Sequence, residues 1–135
     1  MLTNYVKTYP FTSAILLAIV ILSLYPFQES QPLPDIPLAD KWAHMVMYGG
    51  WCMVFWLEYL RVHVRIRFVD ILVWGVLIPV LTGGLLECMQ AFLTATRNGD
   101  WIDFVANSLG VGLGNLMGWI VLSPFMRKVL KYSKT

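Results

Sequence analysis

Eight polar side chains lie at or near one end of three separate apolar segments of this chain. They are Asp40, Lys41 and His44, then Glu87 and Gln90, and finally Arg97, Asp103 and Asn107. A histidine beside a carboxylate can act as a general base, so we assign His44, Glu87 and Asp103 as candidate catalytic residues. Cationic side chains suit a phosphate or carboxylate group. The remaining residues are assigned to ligand binding, namely Asp40, Lys41, Gln90, Arg97 and Asn107.

The same residue types could instead bind a divalent metal, because imidazole and carboxylate are both common metal ligands. A single histidine with no cysteine beside it argues against this alternative, so no metal and no cofactor is assigned. Cys52 and Cys88 match no zinc or redox spacing. We expect both to be buried free thiols.

If the apolar segments are helices, the polar residues share faces. The series are Asp40, His44 and Tyr48; Glu87 and Gln90; and Asp103, Asn107, Gly110 and Gly114. Residues three or four apart are neighbours on a helix surface. Because ionisable groups at membrane depth are costly and usually face a bundle interior, we expect the three faces to turn toward one another.

A purely structural alternative stays open. Lys41, His44, Glu87, Arg97 and Asp103 carry no net formal charge with histidine neutral, so they could form a salt-bridge network that only locks the helices. Interhelical hydrogen bonds in membranes contribute on average only about 0.6 kcal/mol. The number of polar groups exceeds what packing needs, which favours a site that handles a ligand.

The composition predicts the elements that position these residues. The chain has 135 residues, of which 58% are hydrophobic and only 13% charged, with a mean hydropathy of +0.64. Soluble domains carry about 25% charged residues. We expect a single all-α membrane domain over residues 1–135, with Pro79 kinking the third helix. The four predicted transmembrane helices cover about residues 10–27, 41–60, 68–93 and 101–125. The first lacks a small-x-small cleavage site, so we interpret it as a retained helix rather than a signal peptide.

Positive charge predicts the orientation. Eight basic residues would lie on one side of the membrane, namely Lys7, Arg61, Arg65, Arg67, Arg127, Lys128, Lys131 and Lys134, against Lys41 and Arg97 on the other. The positive-inside rule then places both termini in the cytoplasm and the polar cluster on the extracytoplasmic side. We expect Glu58 and Asp70 to be solvated partners of the cytoplasmic arginines. The net charge of +2 indicates no nucleic-acid partner.

Two local features complete the expected packing. Asp40 is placed to cap the second helix through its carboxylate. Gly110, Gly114 and Gly118 recur every fourth residue, and small residues at this spacing let membrane helices approach closely. We expect this row to pack against a neighbouring helix, and it could also serve a homo-oligomer.

The chain resembles the VanZ-like family of small bacterial membrane proteins. The resemblance rests on three motifs within about residues 35–118: Asp40-Lys41-Trp-Ala-His44, Glu87-Cys-Met-Gln90, and the stretch from Arg97 to Gly114. It departs from the family pattern at Met45 and at Ala95-Thr96. The resemblance implies four helices in the bacterial inner membrane and, for some members, a link to low-level teicoplanin resistance without an established reaction.

We therefore expect a multi-pass inner-membrane protein whose outward-facing polar pocket binds an anionic lipid or lipid-linked envelope component. In an enzymatic version, His44 is the base, Glu87 or Asp103 orients it, and Arg97 with Lys41 holds the head group. The alternative is a non-enzymatic interaction or assembly factor. A transporter is less favoured, because four spans give little room for alternating access and the halves show no inverted repeat.

Overall fold

The computed structural model describes residues 2–25, 38–93 and 100–132, and all regular structure in these ranges is helical. Two π-helical stretches interrupt the α-helices, Ile71–Leu77 before α5 and Gly118–Leu122 before α7. The α-helices are α1 (Leu2–Thr8), α2 (Pro10–Leu24), α3 (Ala39–Val62), α4 (Phe68–Asp70), α5 (Ile78–Leu93), α6 (Trp101–Met117) and α7 (Ser123–Tyr132). The helices overlap all four predicted spans, whereas α1 was not predicted.

Two of these helical stretches are long and apolar enough to cross a membrane, Phe68–Phe92 and Trp101–Val129. Pro10–Leu24 is apolar but shorter. Many large apolar side chains on these helices face outward, among them Leu85, Leu109 and Ile120, which are 62%, 57% and 61% exposed. Apolar surface of this kind suits a lipid environment.

Helix α3 forms the centre of the bundle and packs most extensively against α6. Five of its aromatic side chains are buried, namely Tyr48, Trp51, Phe55, Trp56 and Tyr59, whereas Trp42 near its start is exposed. The glycine row packs here as expected. A Cβ atom at Gly110 would clash with the Met45 carbonyl, one at Gly114 with that of Gly49, and one at Gly118 with the Trp56 ring. This row is therefore covered within the chain, and a homo-oligomer through it would require α3 to move away.

The π-helical stretch before α5 is joined to neighbouring helices at the Gly75 carbonyl. Proline has no N–H, so Pro79 cannot donate to this carbonyl four residues earlier. Asn115 Nδ2 on α6 donates to this oxygen at 2.7 Å, and the Cys52 thiol on α3 approaches it at 3.5 Å. Asn115 Oδ1 in turn accepts from Trp56 Nε1 at 3.0 Å. Side chains from two other helices therefore contact the carbonyl to which Pro79 cannot donate.

We expect Asn115→Leu to destabilise the protein by about 1–3 kcal/mol, because the Gly75 carbonyl and the Trp56 N–H both lose a partner. In a Pro79→Ala background the loss should shrink by at least about 0.5 kcal/mol, since alanine at this position supplies the missing N–H. The free energies of unfolding of the unmodified chain, the two single variants and the double variant are measured by reversible unfolding of the full chain in mixed micelles.

Ser108→Ala is the matched control on the same helix. The Ser108 hydroxyl donates only to the Phe104 carbonyl one turn earlier, at 2.9 Å, within α6. We expect a change within about 0.5 kcal/mol. Equal costs of Asn115→Leu in the two backgrounds would contradict the assigned role of Asn115.

Three predictions about individual residues are wrong. Asp40 does not cap α3, because the helix begins at Ala39 after Leu38 and no side chain caps it. Cys88 is exposed rather than buried, whereas Cys52 is buried and both are free thiols. Glu58 is buried instead of solvated.

Glu58 instead binds the start of α2. Its carboxylate accepts from the backbone N–H groups of Phe11 at 3.0 Å and Thr12 at 2.8 Å, and from the Thr12 hydroxyl at 2.6 Å. A helix start offers free N–H groups and favours negative charge. Asp70 behaves as predicted, with Arg67 Nε 3.8 Å from its Oδ2.

Candidate functional site

Lys41 is the cation at the centre of the polar site. It lies in the first turn of α3, and its ammonium pairs with Asp103 Oδ1 of α6. The same nitrogen is 2.9 Å from Asp100 Oδ2 and 3.6 Å from Asp40 Oδ2. One ammonium therefore serves three carboxylates from the ends of α3 and α6.

His44 lies one turn deeper and is held from α6. Its Nδ1 is 2.9 Å from Asn107 Oδ1. Since an amide oxygen only accepts, Nδ1 carries the proton and Nε2 presents a lone pair in the neutral ring. Nε2 is 3.8 Å from Asp40 Oδ1 and 3.9 Å from Asp103 Oδ2. Asn107, rather than Glu87 or Asp103, therefore orients this ring through Nδ1.

Close packing of α5 fixes the Asn107 amide. Asn107 is 1% exposed, and a Cβ atom at Gly83 would lie 3.3 Å from its Nδ2 and 3.4 Å from the Tyr48 ring. Only a glycine at this position leaves α5 room to approach without displacement. The amide is thereby confined beside His44.

Asp100 is a site residue that sequence reasoning missed. Its Oδ1 accepts from the Ile102 N–H at 2.9 Å and caps α6, while its own N–H donates to Glu87 Oε2 at 3.2 Å. The hydrogen bond from Lys41 holds the pKa of the Asp100 carboxyl below its ordinary value. An aspartate directly before an apolar helix is an N-cap signal, which could have identified it. Asp100 thus connects Glu87 on α5 with Lys41 on α3.

Gln90, another predicted site residue, contacts a different helix. Gln90 is buried and its Nε2 donates to the Ser23 carbonyl of α2 at 2.8 Å, so it ties α5 to α2. Arg97 lies outside the described residues. The described residues therefore bring together Asp40, Lys41, His44, Asp103 and Asn107, with Glu87 joined through Asp100.

An apolar cleft of about 520 Å³ opens beside the cluster, between α5 and the start of α6. Its walls are almost entirely apolar, and Glu87 and Asp100 are the acidic residues of its lining. The other lining residues include Leu81, Leu85, Cys88, Phe92, Trp101 and Phe104. An apolar cleft beside a polar cluster matches the amphipathic character of a lipid.

A group of potential metal ligands lies within the site. Asp40, His44 and Asp103 each offer a ligand atom, and these atoms lie within 4.8 Å of one another. The sequence placed Asp40 one turn before His44 and predicted that Asp103 would face it, but the convergence of the three ligand atoms depends on how closely α3 and α6 pack. The three side chains together have the composition of a cation site.

The fold and the site define an all-helical protein with two helices long enough to cross a membrane and a buried polar cluster at the ends of three helices. In comparisons with protein-family models, with curated proteins and with solved structures, no match to this chain was found. The VanZ-like resemblance consequently rests on the three motifs alone.

Proposed function

We propose that this chain is a multi-pass bacterial inner-membrane protein that binds an anionic lipid or lipid-linked envelope component at its polar cluster. In this proposal four helices span the bilayer, both termini are cytoplasmic, and the cluster faces outward. VanZ-like membership, with its link to glycopeptide resistance, is part of the proposal and is supported by the three sequence motifs.

The observation that carries the proposal is the continuity of the apolar cleft with the cluster. Glu87 and Asp100 belong to both, since they line the cleft, the Asp100 N–H donates to Glu87, and Lys41 donates to the Asp100 carboxylate. An acyl chain in the cleft would place its head group at Lys41. Arg97, close in sequence to Asp100, would supply a second cation.

In the enzymatic version of the proposal, His44 is the general base. Its Nε2 lone pair is available because Nδ1 donates to Asn107. A proton taken from a bound hydroxyl or water would be held between His44 and the nearby carboxylates of Asp40 and Asp103. Such a version requires His44→Ala to stop turnover without preventing lipid binding.

We expect phosphatidylglycerol to raise the melting temperature of the full chain in detergent more than phosphatidylcholine does. Cys88→Trp should remove most of this effect, because Cys88 is exposed in the cleft and the indole would fill it. A thermal-shift titration with the two lipids measures both expectations.

Leu109→Trp is the matched control, since Leu109 is exposed on α6 and does not line the cleft. It should respond to phosphatidylglycerol like the unmodified chain. Equal stabilisation by both lipids, unaffected by Cys88→Trp, would contradict binding in the cleft.

The second candidate is an interaction or assembly factor in which the cluster only sets the shape of the bundle. The ion pairs of Lys41 with Asp100 and Asp103 favour it, because the ammonium is already engaged without a ligand. In that case the loss of function in site variants would follow their loss of stability.

A further inference from the structure

We propose that Asp40, His44 and Asp103 bind a divalent transition-metal ion such as Zn²⁺ or Mn²⁺. Asp40 and His44 lie one turn apart at the start of α3, Asp103 lies in the first turn of α6, and their ligand atoms lie within 4.8 Å of one another. One imidazole with two carboxylates suits these ions better than Ca²⁺ or Mg²⁺, which favour oxygen ligands. The site goes beyond the proposed lipid binding and does not depend on it.

His44 is prepared to act as a metal ligand. Metal-binding histidines usually donate their second ring N–H to an oxygen acceptor, which fixes the ring and its tautomer. Nδ1 of His44 makes such a bond to Asn107 Oδ1 at 2.9 Å, and both residues are buried. The Nε2 lone pair is therefore directed to the side where Asp40 and Asp103 lie.

The distances around Nε2 fit a shared ion better than direct hydrogen bonds. The carboxylate oxygens of Asp40 and Asp103 are 3.8 Å and 3.9 Å from Nε2, beyond the usual N–H···O range of about 2.7–3.2 Å. Two ligand atoms that each lie about 2.0–2.2 Å from one zinc ion are separated by about 3–4 Å. Small side-chain rotations would complete the coordination.

The charge of the cluster also favours a cation. Among the described residues, the carboxylates of Asp40, Asp100 and Asp103 surround the ammonium of Lys41, and Glu87 accepts from the Asp100 N–H. Glu87 and Asp103 are buried, and buried carboxylates need compensating charge. A divalent ion bound by Asp40, His44 and Asp103 would supply positive charge beside them.

Lys41 competes with the ion for Asp103. Its ammonium pairs with Asp103 Oδ1 and approaches Asp40 Oδ2 at 3.6 Å. Asp100, which is not one of the proposed ligands, is 2.9 Å away and can retain the ammonium when the ion binds. Removal of the Lys41 charge should therefore tighten metal binding, which a merely structural cluster would not predict.

The experiment is a titration of the chelator-treated full chain in detergent with Zn²⁺ by calorimetry and with Mn²⁺ by electron paramagnetic resonance. Asp40→Asn and His44→Gln should each weaken binding by about tenfold or more, and Asn107→Leu by about 10–100-fold. Lys41→Met should tighten it by about tenfold. The Asp40 side chain is 45% exposed, so Asp40→Asn should keep the fold, which size-exclusion chromatography checks.

Glu87→Gln is the control for Asp40→Asn, because each substitution removes one negative charge. It removes one carboxylate near the ion without removing a ligand, so it should weaken binding by only about two- to fivefold. Equal losses for Glu87→Gln and Asp40→Asn would mean general attraction to acidic side chains and would overturn the site. The site would also be overturned if the unmodified chain bound Zn²⁺ and Mn²⁺ no more tightly than the His44→Gln variant does. Neither result would affect the phosphatidylglycerol experiment, whose outcome depends on the cleft.

Discussion

Gly114→Ala is expected to destabilise the bundle by about 1–3 kcal/mol or more, whereas Gly112→Ala on the same helix is expected to stabilise it by up to about 1 kcal/mol. A Cβ atom at Gly114 would lie 2.5 Å from the Gly49 carbonyl oxygen and 2.9 Å from Cys52 Cβ. These are backbone and Cβ atoms, which cannot move aside as a flexible side chain could. The helices α3 and α6 would have to separate.

Gly112 is a close control because it lies only two residues away and its Cβ would meet nothing within 4 Å. Both glycines are helical, so alanine improves the backbone propensity at both positions equally. The difference between the two variants therefore reports the contact with α3 alone. Reversible unfolding in mixed micelles measures it, and a difference below about 0.5 kcal/mol would contradict the close packing of this row.

The larger substitution Gly114→Leu extends the same argument to the site. Asp103 and Asn107 lie on the face of α6 that contacts α3, where Lys41 and His44 meet them. Separation of α3 from α6 should break both contacts together, even though Gly114 touches neither. We expect loss of phosphatidylglycerol-dependent stabilisation in this variant.

The helical segments and the shared polar faces could be predicted because both depend on local pattern. Apolar runs bounded by polar turns identify helices, and a spacing of four residues places His44 above Asp40 and Asn107 above Asp103. Convergence of α3 and α6 follows from the cost of placing such groups toward lipid. These inferences need no knowledge of neighbouring helices.

The contacts that depend on packing could not be predicted. Glu58 binds the start of α2, 46 residues away from Thr12 in sequence, and nothing local distinguishes it from a solvated glutamate. The orientation of His44 likewise depends on which atom of α6 lies opposite Nδ1. Asp40 matched the pattern of a capping residue, but α3 begins at Ala39, two residues earlier than predicted, and the Asp40 carboxylate lies near Lys41 and His44 instead.

Lys41→Met is expected to cost about 2–4 kcal/mol, near the lower end of the loss that follows when one partner of a buried ion pair is removed. Asp103 is buried, and its carboxylate would lose the ammonium that compensates it. The Lys41 side chain is 20% exposed, so the penalty stays below that of a fully buried pair. Unfolding in mixed micelles at low salt, with chelator present, measures this loss.

The double variant Lys41→Met with Asp103→Asn should recover much of the stability, because it removes the uncompensated charge together with the cation. We expect a coupling of at least about 1.5 kcal/mol between the two positions. If the stability losses of Lys41→Met and Asp103→Asn simply added in the double variant, the two side chains would not stabilise each other, which would contradict the ion pair.

The same double variant separates the two candidate functions, because it restores the bundle without restoring the chemistry of the cluster. If the cluster only locks the helices, regained stability should bring back the function of the protein in the cell. If the cluster holds a head group, the double variant should fold and yet show no selective stabilisation by phosphatidylglycerol, since the cation proposed to hold the phosphate is gone. Stability and ligand binding, which fall together in Lys41→Met, would then be separated in a single protein.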